Sequence, residues 1–439
     1  MSNTMIKQMP KYEAYKDSGN DWFSSIPAHW EIKKLSHVFQ NIGSGTTPPT
    51  SISSNYIPEV NWLQTGDLND GIIVETSKKI SCSAYKNHST LKLYPPGSLV
   101  IAMYGATIGK LGLLNIETTT NQACCVLSGS RTVLPKYFFY CFLGFRKEII
   151  SLGYGGGQPN ISQEVIRSLR LPFPTIDEQE RICIYLDSCS KKIDEAIVIK
   201  QKQIELLKER KQIIIQQAVT EGLNPNVSMK DSGVDWIGTI PEHWSVKRAK
   251  YLLDEINERS ETGFEELLSV SHMTGVTPRS EKNVTMFMAE DYTGSKLCHS
   301  GDLVINIMWA WMGALGVSDR TGIVSPSYGV FREQREGTFV PKYLEMLLKS
   351  TKYVEYYNKV STGLHSSRLR FYGHMLFDMA LGFPPYEEQT QIVESISREC
   401  AKVDEAITVQ VEQVSKLKEY KTTLINSAVT GKIKVTELA

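Results

Sequence analysis

At 439 residues the chain is too long for one ordinary core, and two or three domains are expected. Its 41% hydrophobic and 22% charged residues are those of a soluble globular protein, no apolar run reaches the ~18 residues of a membrane span, and Met1 to Pro10 lack the apolar segment of a signal peptide; a cytoplasmic protein is expected. The 48 basic and 48 acidic side chains cancel, which argues against a simple polycation for nucleic acid and makes any anion-binding surface local, with residues 1–175 carrying the basic excess.

The chain opens on "KDSGNDWFSSIPAHW", Lys16 to Trp30, and repeats the phrase as "KDSGVDWIGTIPEHW", Lys230 to Trp244. The paired Trp22, Pro27, Trp30 and Trp236, Pro241, Trp244 read as packing residues that fasten the start of a domain. His29 and His243 read as members of a structural turn.

After each phrase comes a stretch, roughly 15–175 and 229–385, in which β-type runs such as "SLVIAMY" and "DLVINIM" alternate with Gly, Pro, Asn and Ser. "PGSLVIAMYGATIGKLG" is echoed by "SGDLVINIMWAWMGALG", and "LPKYFFYCFL" by "VPKYLEMLLK". Next stand "TIDEQERI" and "PYEEQTQI". Thr175 with Glu178 makes a capping box that starts a helix, Pro385 replaces the cap in the second copy, and Gly222 reads as a helix C′ residue.

Within the helices apolar residues recur at alternating steps of four and three, as in a coiled coil. The first row is Ile193, Ile197, Lys200, Ile204, Leu207, Lys211, Ile214, Ala218, and the second is Val403, Ile407, Gln410, Val414, Leu417, Lys421, Leu424, Ala428. Both rows carry polar residues at the same two positions, which cost stability and can set register. The pairing residues are thus Ile193, Ile197, Ile204, Leu207 and Ile214 with Val403, Ile407, Val414, Leu417 and Leu424, most naturally antiparallel. Two amphipathic helices that each pack on their own domain are the alternative. At 1.5 Å per residue the first row spans ~37 Å, near one turn of B-DNA.

The fold expected is therefore α+β: two globular domains in a tandem pseudo-twofold repeat, each followed by a long helix. The boundaries are a first domain at 1–175, a helical spacer at 176–222, a linker at 223–228, a second domain at 229–385, a second spacer at 386–431 and a tail at 432–439.

No catalytic centre is legible. "GATIGKL" has three residues between its glycines where a phosphate loop has four, and Leu111 where magnesium needs Ser or Thr, so it reads as a strand-turn-strand corner. In "FPPY", Phe383 has no polar group for an exocyclic amine. "GYGGGQ" is not a dinucleotide fingerprint, and His-Glu-x-x-His and Gly-x-Ser-x-Gly are missing. The eight cysteines show no metal spacing and read as reduced, mostly buried thiols.

The polar, glycine-rich stretches suit contact better than chemistry, although a cluster of this kind is most often only a turn. Glycine admits close backbone approach, Asn and Gln bond adenine bidentately, Ser and Thr reach bases or phosphates, and Arg reads guanine. The candidates in the first half are Ser44, Thr46, Thr65, Tyr104, Thr107, Thr119, Asn121, Gln122, Gln158, Asn160 and Ser162. Those in the second are Asn306, Trp309, Ser325, Ser327, Tyr328, His365, Ser366, Arg368 and Arg370.

The paired start phrases, "GATIGK", "TTTNQACCVLS", "GGGQPNIS" and the helices running from the Glu-Gln phrase to "AVT" in both halves together resemble the specificity subunit of type I restriction-modification systems. The resemblance covers nearly the whole chain. It departs in the second half, where "MWAWMGALG" and "TGLHSSRLR" replace the first half's motifs. It implies a non-catalytic subunit whose two target-recognition domains each read one half of a bipartite, asymmetric double-stranded DNA site across a fixed spacer. It further implies two methyltransferase and two restriction subunits as partners, with S-adenosylmethionine, ATP and Mg on those partners and no cofactor on this chain. The rivals are a bivalent scaffold that reads no DNA, a self-contained nuclease or methyltransferase, and an inactive or alternative specificity subunit.

Overall fold

A computed structural model of the chain describes residue 6 and residues 8–130, 132–154, 160–282, 291–363 and 369–435. It divides into two compact units that cut across the sequence repeats. The first comprises 1–201 and 411–439, the second 202–410. Each therefore contains a globular stretch, the first part of one long helix and the last part of the other. The helices are Ile176–Glu221 and Tyr386–Val429.

In the first unit a five-stranded sheet runs in the order Asn41–Ser44, Cys124–Ser128, Leu99–Ala102, Leu111–Leu114, Gly71–Ile73. Strand periodicity divides its side chains between two cores. Leu99, Ile101, Cys125 and Leu127 face the larger one, and Val100, Ala102, Cys124 and Val126 the smaller. Both faces being covered explains why "SLVIA" reads as a continuous apolar run instead of an alternating one. "GATIGK" turns the chain between Leu99–Ala102 and Leu111–Leu114, which pair antiparallel, and Gly105 and Gly109 hold φ of 81° and 75° there. It is the strand-turn-strand corner expected.

The second unit repeats the plan with a four-stranded sheet, Leu253–Glu255, Gly329–Glu333, Leu303–Ile305, Leu315–Val317. Leu303, Ile305 and Phe331 face its larger core, Val304 and Val330 the smaller. In both units the strand after the start phrase pairs antiparallel with the strand that leads into the long helix: Glu31–Lys34 with Arg170–Phe173, and Ser245–Arg248 with Ala380–Phe383.

The helix segments pair antiparallel inside each unit. In the first, the carbonyl at the end of the second helix, Val429 O, accepts from Tyr137 Oη at 3.2 Å, and that hydroxyl also lies 3.2 Å from Pro172 O, just before the first helix begins. Ile193, Ile197, Val414 and Leu424 are buried in its larger core, with Leu417 packed against it. In the second unit Ile204 and Val403 are buried, while Leu207, Ile214 and Ile407 are half-buried. Two of the polar positions form ion pairs of matched design. Lys421 Nζ lies 2.8 and 2.6 Å from the Asp194 carboxylate, and Lys211 Nζ lies 2.8 and 2.7 Å from that of Asp404.

The segment expected to be a tail is in part core. Ile433 and Val435 are buried in the first unit, and Lys434 N donates to Pro10 O at 2.7 Å.

Candidate nucleic-acid interface

The frame that carries the loops is built the same way twice. Thr175 Oγ1 accepts from Glu178 N at 3.3 Å while Glu178 Oε2 accepts from Thr175 N at 3.2 Å, which is the capping box expected. The other oxygen, Oε1, lies 2.9 Å from His29 Nε2 and accepts from Trp30 Nε1 at 3.1 Å. Burial raises the Glu178 carboxyl, and hydrogen bonds from His29, Trp30 and Thr175 outweigh it, so the net shift is downward. Gln179 Oε1 accepts from Leu134 N at 2.9 Å, at the start of the "PKY" helix, Pro135–Gly144, and its amide donates to Pro174 O at 3.0 Å.

The second unit repeats these contacts except the cap, since Pro385 has neither the hydroxyl nor the N–H of Thr175. Glu388 meets His243 Nε2 at 2.6 Å and Trp244 Nε1 at 3.2 Å; Gln389 meets Val340 N at 2.8 Å and Pro384 O at 3.0 Å; Tyr343 Oη donates to Val219 O at 3.0 Å. Phe383 of "FPPY" is buried against Phe339, and Pro384 is part of this helix entry. The start phrase, the Glu-Gln phrase, the "PKY" tyrosine and the helix end are one fastening, distributed along the sequence.

On the first frame the predicted residues gather from five loops. Thr46 O accepts from Trp62 Nε1 at 3.2 Å, Gly45 N donates to Thr120 Oγ1 at 3.0 Å, and Thr47 Oγ1 donates to Gln122 Oε1 at 2.5 Å. Asn121 N donates to Leu63 O at 3.0 Å, which brings Asn121 beside the turn that begins at Thr65. Tyr104, half-buried with its phenol pushed up mainly by burial, bonds the Gln122 side chain. Backbone bridges tie Asn160 to Tyr104 and to Tyr154, and Tyr154 is itself exposed. Ser44 and Thr107 lie half-buried in the same loops.

Two of the eleven first-half candidates are held otherwise. Thr119 is 0% exposed inside the fold and cannot reach a duplex, which corrects its nomination. Ser162 caps the helix Gln163–Ser168 by accepting from Val165 N at 3.1 Å. Gln158 lies outside the described residues.

In the second unit Asn306 is buried. Its amide donates to Tyr328 Oη at 3.1 Å and its carbonyl accepts from Met308 N at 3.2 Å, so it braces the loop instead of facing outward, a second correction. Trp309 is half exposed and stacks on Trp311 with centroids 5.9 Å apart. Tyr328 and Ser325 line a cavity of about 360 Å³ together with Arg279, Ser269 and Thr293, while Ser327 is exposed beside it. Arg370 is half-buried and its backbone pairs with Thr362. His365, Ser366 and Arg368 lie outside the described residues.

A family profile for the type I restriction modification DNA specificity domain matches residues 27–208. The type I restriction enzyme MjaVIII specificity subunit of Methanocaldococcus jannaschii is 23% identical over 453 aligned residues, covering 99% of each chain. The chain is thus similar over its whole length to a type I restriction enzyme specificity subunit, and residues 27–208 match that family's domain. In fold the chain resembles one from a structure of complex assembly and conformational transition of the type I R-M system, with a TM-score of 0.67 and 17% identity over 93% of this chain and 99% of that one. It also resembles the HsdS subunit from Thermoanaerobacter tengcongensis, with a TM-score of 0.52 and 17% identity over 93% and 98% of the two chains.

The described residues hold no cluster of His, Cys, Asp and Glu fit for a metal ion and no helix long and apolar enough to cross a membrane. None of its eight cysteines is in a disulfide, and Cys82 alone is exposed; burial pushes the Cys125 thiol up to about 12. Gln179, Tyr137 and their second-half counterparts were not nominated from sequence, and Glu178 was named there only as part of a helix cap. The signal for them was the recurrence of "EQ" and "PKY", which marked the positions but not their partners.

Proposed function

We infer that this chain is a type I restriction-modification specificity subunit, each unit of which reads one half of a bipartite, asymmetric DNA site. The two long helices keep the halves at a fixed spacing and, with adjoining surfaces, dock two methyltransferase subunits, to which two restriction subunits add. The subunit itself is non-catalytic, and S-adenosylmethionine, ATP and Mg belong to its partners. One observation carries the reading: the same Glu-Gln fastening is built twice, in matching geometry, under loops that differ in sequence. A pair of identical frames suits identical partners, and differing loops suit different half-sites. Simultaneous engagement then gains through effective concentration, so that a single half-site does not suffice.

The test is adenine methylation mapped by single-molecule sequencing in a methylation-free host that expresses this chain with its methyltransferase partner. A split motif with a constant gap, lost when either protein is omitted, is expected. A stable complex with active methyltransferase but no motif would favour a scaffold or an inactive specificity subunit.

A further inference from the structure

The first unit's candidates surround the place where Thr119–Thr120 and Val60–Leu63 pair in parallel, with Thr119 opposite Trp62. The second unit has its equivalent in the parallel bridge between Leu267 and Ile323. At that place it carries a cavity of about 360 Å³. Ser325 and Tyr328, nominated from sequence on other grounds, line it, and so does Arg279, which was not nominated.

Arg279 differs from the arginines around it. Arg332 is bonded to Asp302 and Glu258, Arg320 to Asp319 and Glu266, and Arg259 to Gly294 O and Asn257. The half-buried Arg279 guanidinium makes no hydrogen bond or ion pair among the described residues, while its charge acts on the Tyr328 hydroxyl. That hydroxyl is itself fixed by Asn306 Nδ2. A planar fork of donors left unmatched beside oriented hydroxyls is suited to two acceptors in one plane, and the guanine O6 and N7 edge offers them.

We propose that Arg279, positioned beside Tyr328 and Ser325, reads a guanine in the half-site of the second unit. This rests on the bipartite DNA-reading function given above. The same guanidinium chemistry would also serve a backbone phosphate, and the experiment separates the two sources.

The full chain, complexed with its methyltransferase partner, is tested against duplexes carrying the mapped motif. Each guanine of one half-site in turn is replaced by 7-deazaguanine, which lacks the N7 acceptor. Wild type is expected to lose affinity at one guanine of one half-site, and Arg279→Ala to lose about 5- to 150-fold on the natural site with no further loss at that guanine. Arg279→Lys, which keeps a charge without the fork, is expected to behave like Arg279→Ala at that position and to keep full recognition of the other half-site. A uniform loss on all sequences with a shallower salt dependence would assign Arg279 to a phosphate and overturn the proposal, as would a wild-type profile insensitive to every 7-deazaguanine. The wild-type profile alone can overturn the proposal, and the assignment to Arg279 is read from whichever of Arg279→Ala and Arg279→Lys keeps full recognition of the other half-site, which shows that it folds. Absence of any bipartite motif in wild type would instead sink the function on which the proposal rests.

Discussion

Glu178 accepts bonds from His29, Trp30 and Thr175 at once, so neutralising it disturbs a cap and a tertiary fastening together. Glu178→Gln is expected to cost about 1–3 kcal/mol, because partially buried donors lose a charged acceptor; denaturant unfolding followed by Trp fluorescence checks it. Trp30, wholly buried, is expected to cost more as Trp30→Ala, about 3–5 kcal/mol. The Glu178 carboxyl is held below its ordinary value, so its contribution is present above the unfolded-state pKa and fades as pH falls through the folded one. Stability measured between neutral and acidic pH should therefore fall less steeply in Glu178→Gln than in wild type. The residues of this site were visible in sequence as a repeated His-Trp and a repeated Glu-Gln. Their union was not, because 149 positions separate His29 from Glu178 and no local pattern reports a contact at that range.

At the level of elements, the polar breaks in the apolar rows have partners that the rows themselves do not reveal. The lysine of each helix meets the aspartate of the other, Lys421 with Asp194 and Lys211 with Asp404. The aspartates are more than half exposed, so a double-mutant cycle on either pair is expected to give a coupling of no more than ~1 kcal/mol. Lys421→Asp alone sets like charges together, and adding Asp194→Lys should restore the lost stability. Coupling near zero, with the exchanged pair no better than the single variant, would remove the ion pairs from the account of register. Gln410 differs, since its side-chain oxygen is buried with no hydrogen-bond partner among the described residues. The spacing of four and three made the helices legible, but the pattern is silent on which lysine faces which aspartate.

For the whole molecule, each long helix has a station in both units: Asp194 in the first and Lys211 in the second, then Asp404 in the second and Lys421 in the first. A four-residue insertion between Ile197 and Lys208, about one turn, is expected to lengthen the DNA spacer without altering either half-sequence when a matching insertion is made between Ile407 and Lys418. An unchanged spacer in the methylation motif would reject the ruler. The duplication and the α+β character could be read from repeated phrases and punctuation. The composition of the units could not, because it depends on which helix end Tyr137 and Tyr343 meet, and each meets the end of the other repeat's helix.

That exchange of helix ends sets an order of synthesis. The first unit lacks Leu424, Ile425, Ala428, Val429, Ile433 and Val435 until those residues leave the ribosome, after all of 202–410. At ~5–20 residues per second, the stretch from 202 to 410 holds the first unit open for roughly 10–40 s. The unit that begins first is therefore completed after the second. A nascent chain arrested after Gln410 should show protease-sensitive sites in 1–201 that are protected in the full-length protein, so chaperone demand should fall on the N-terminal half.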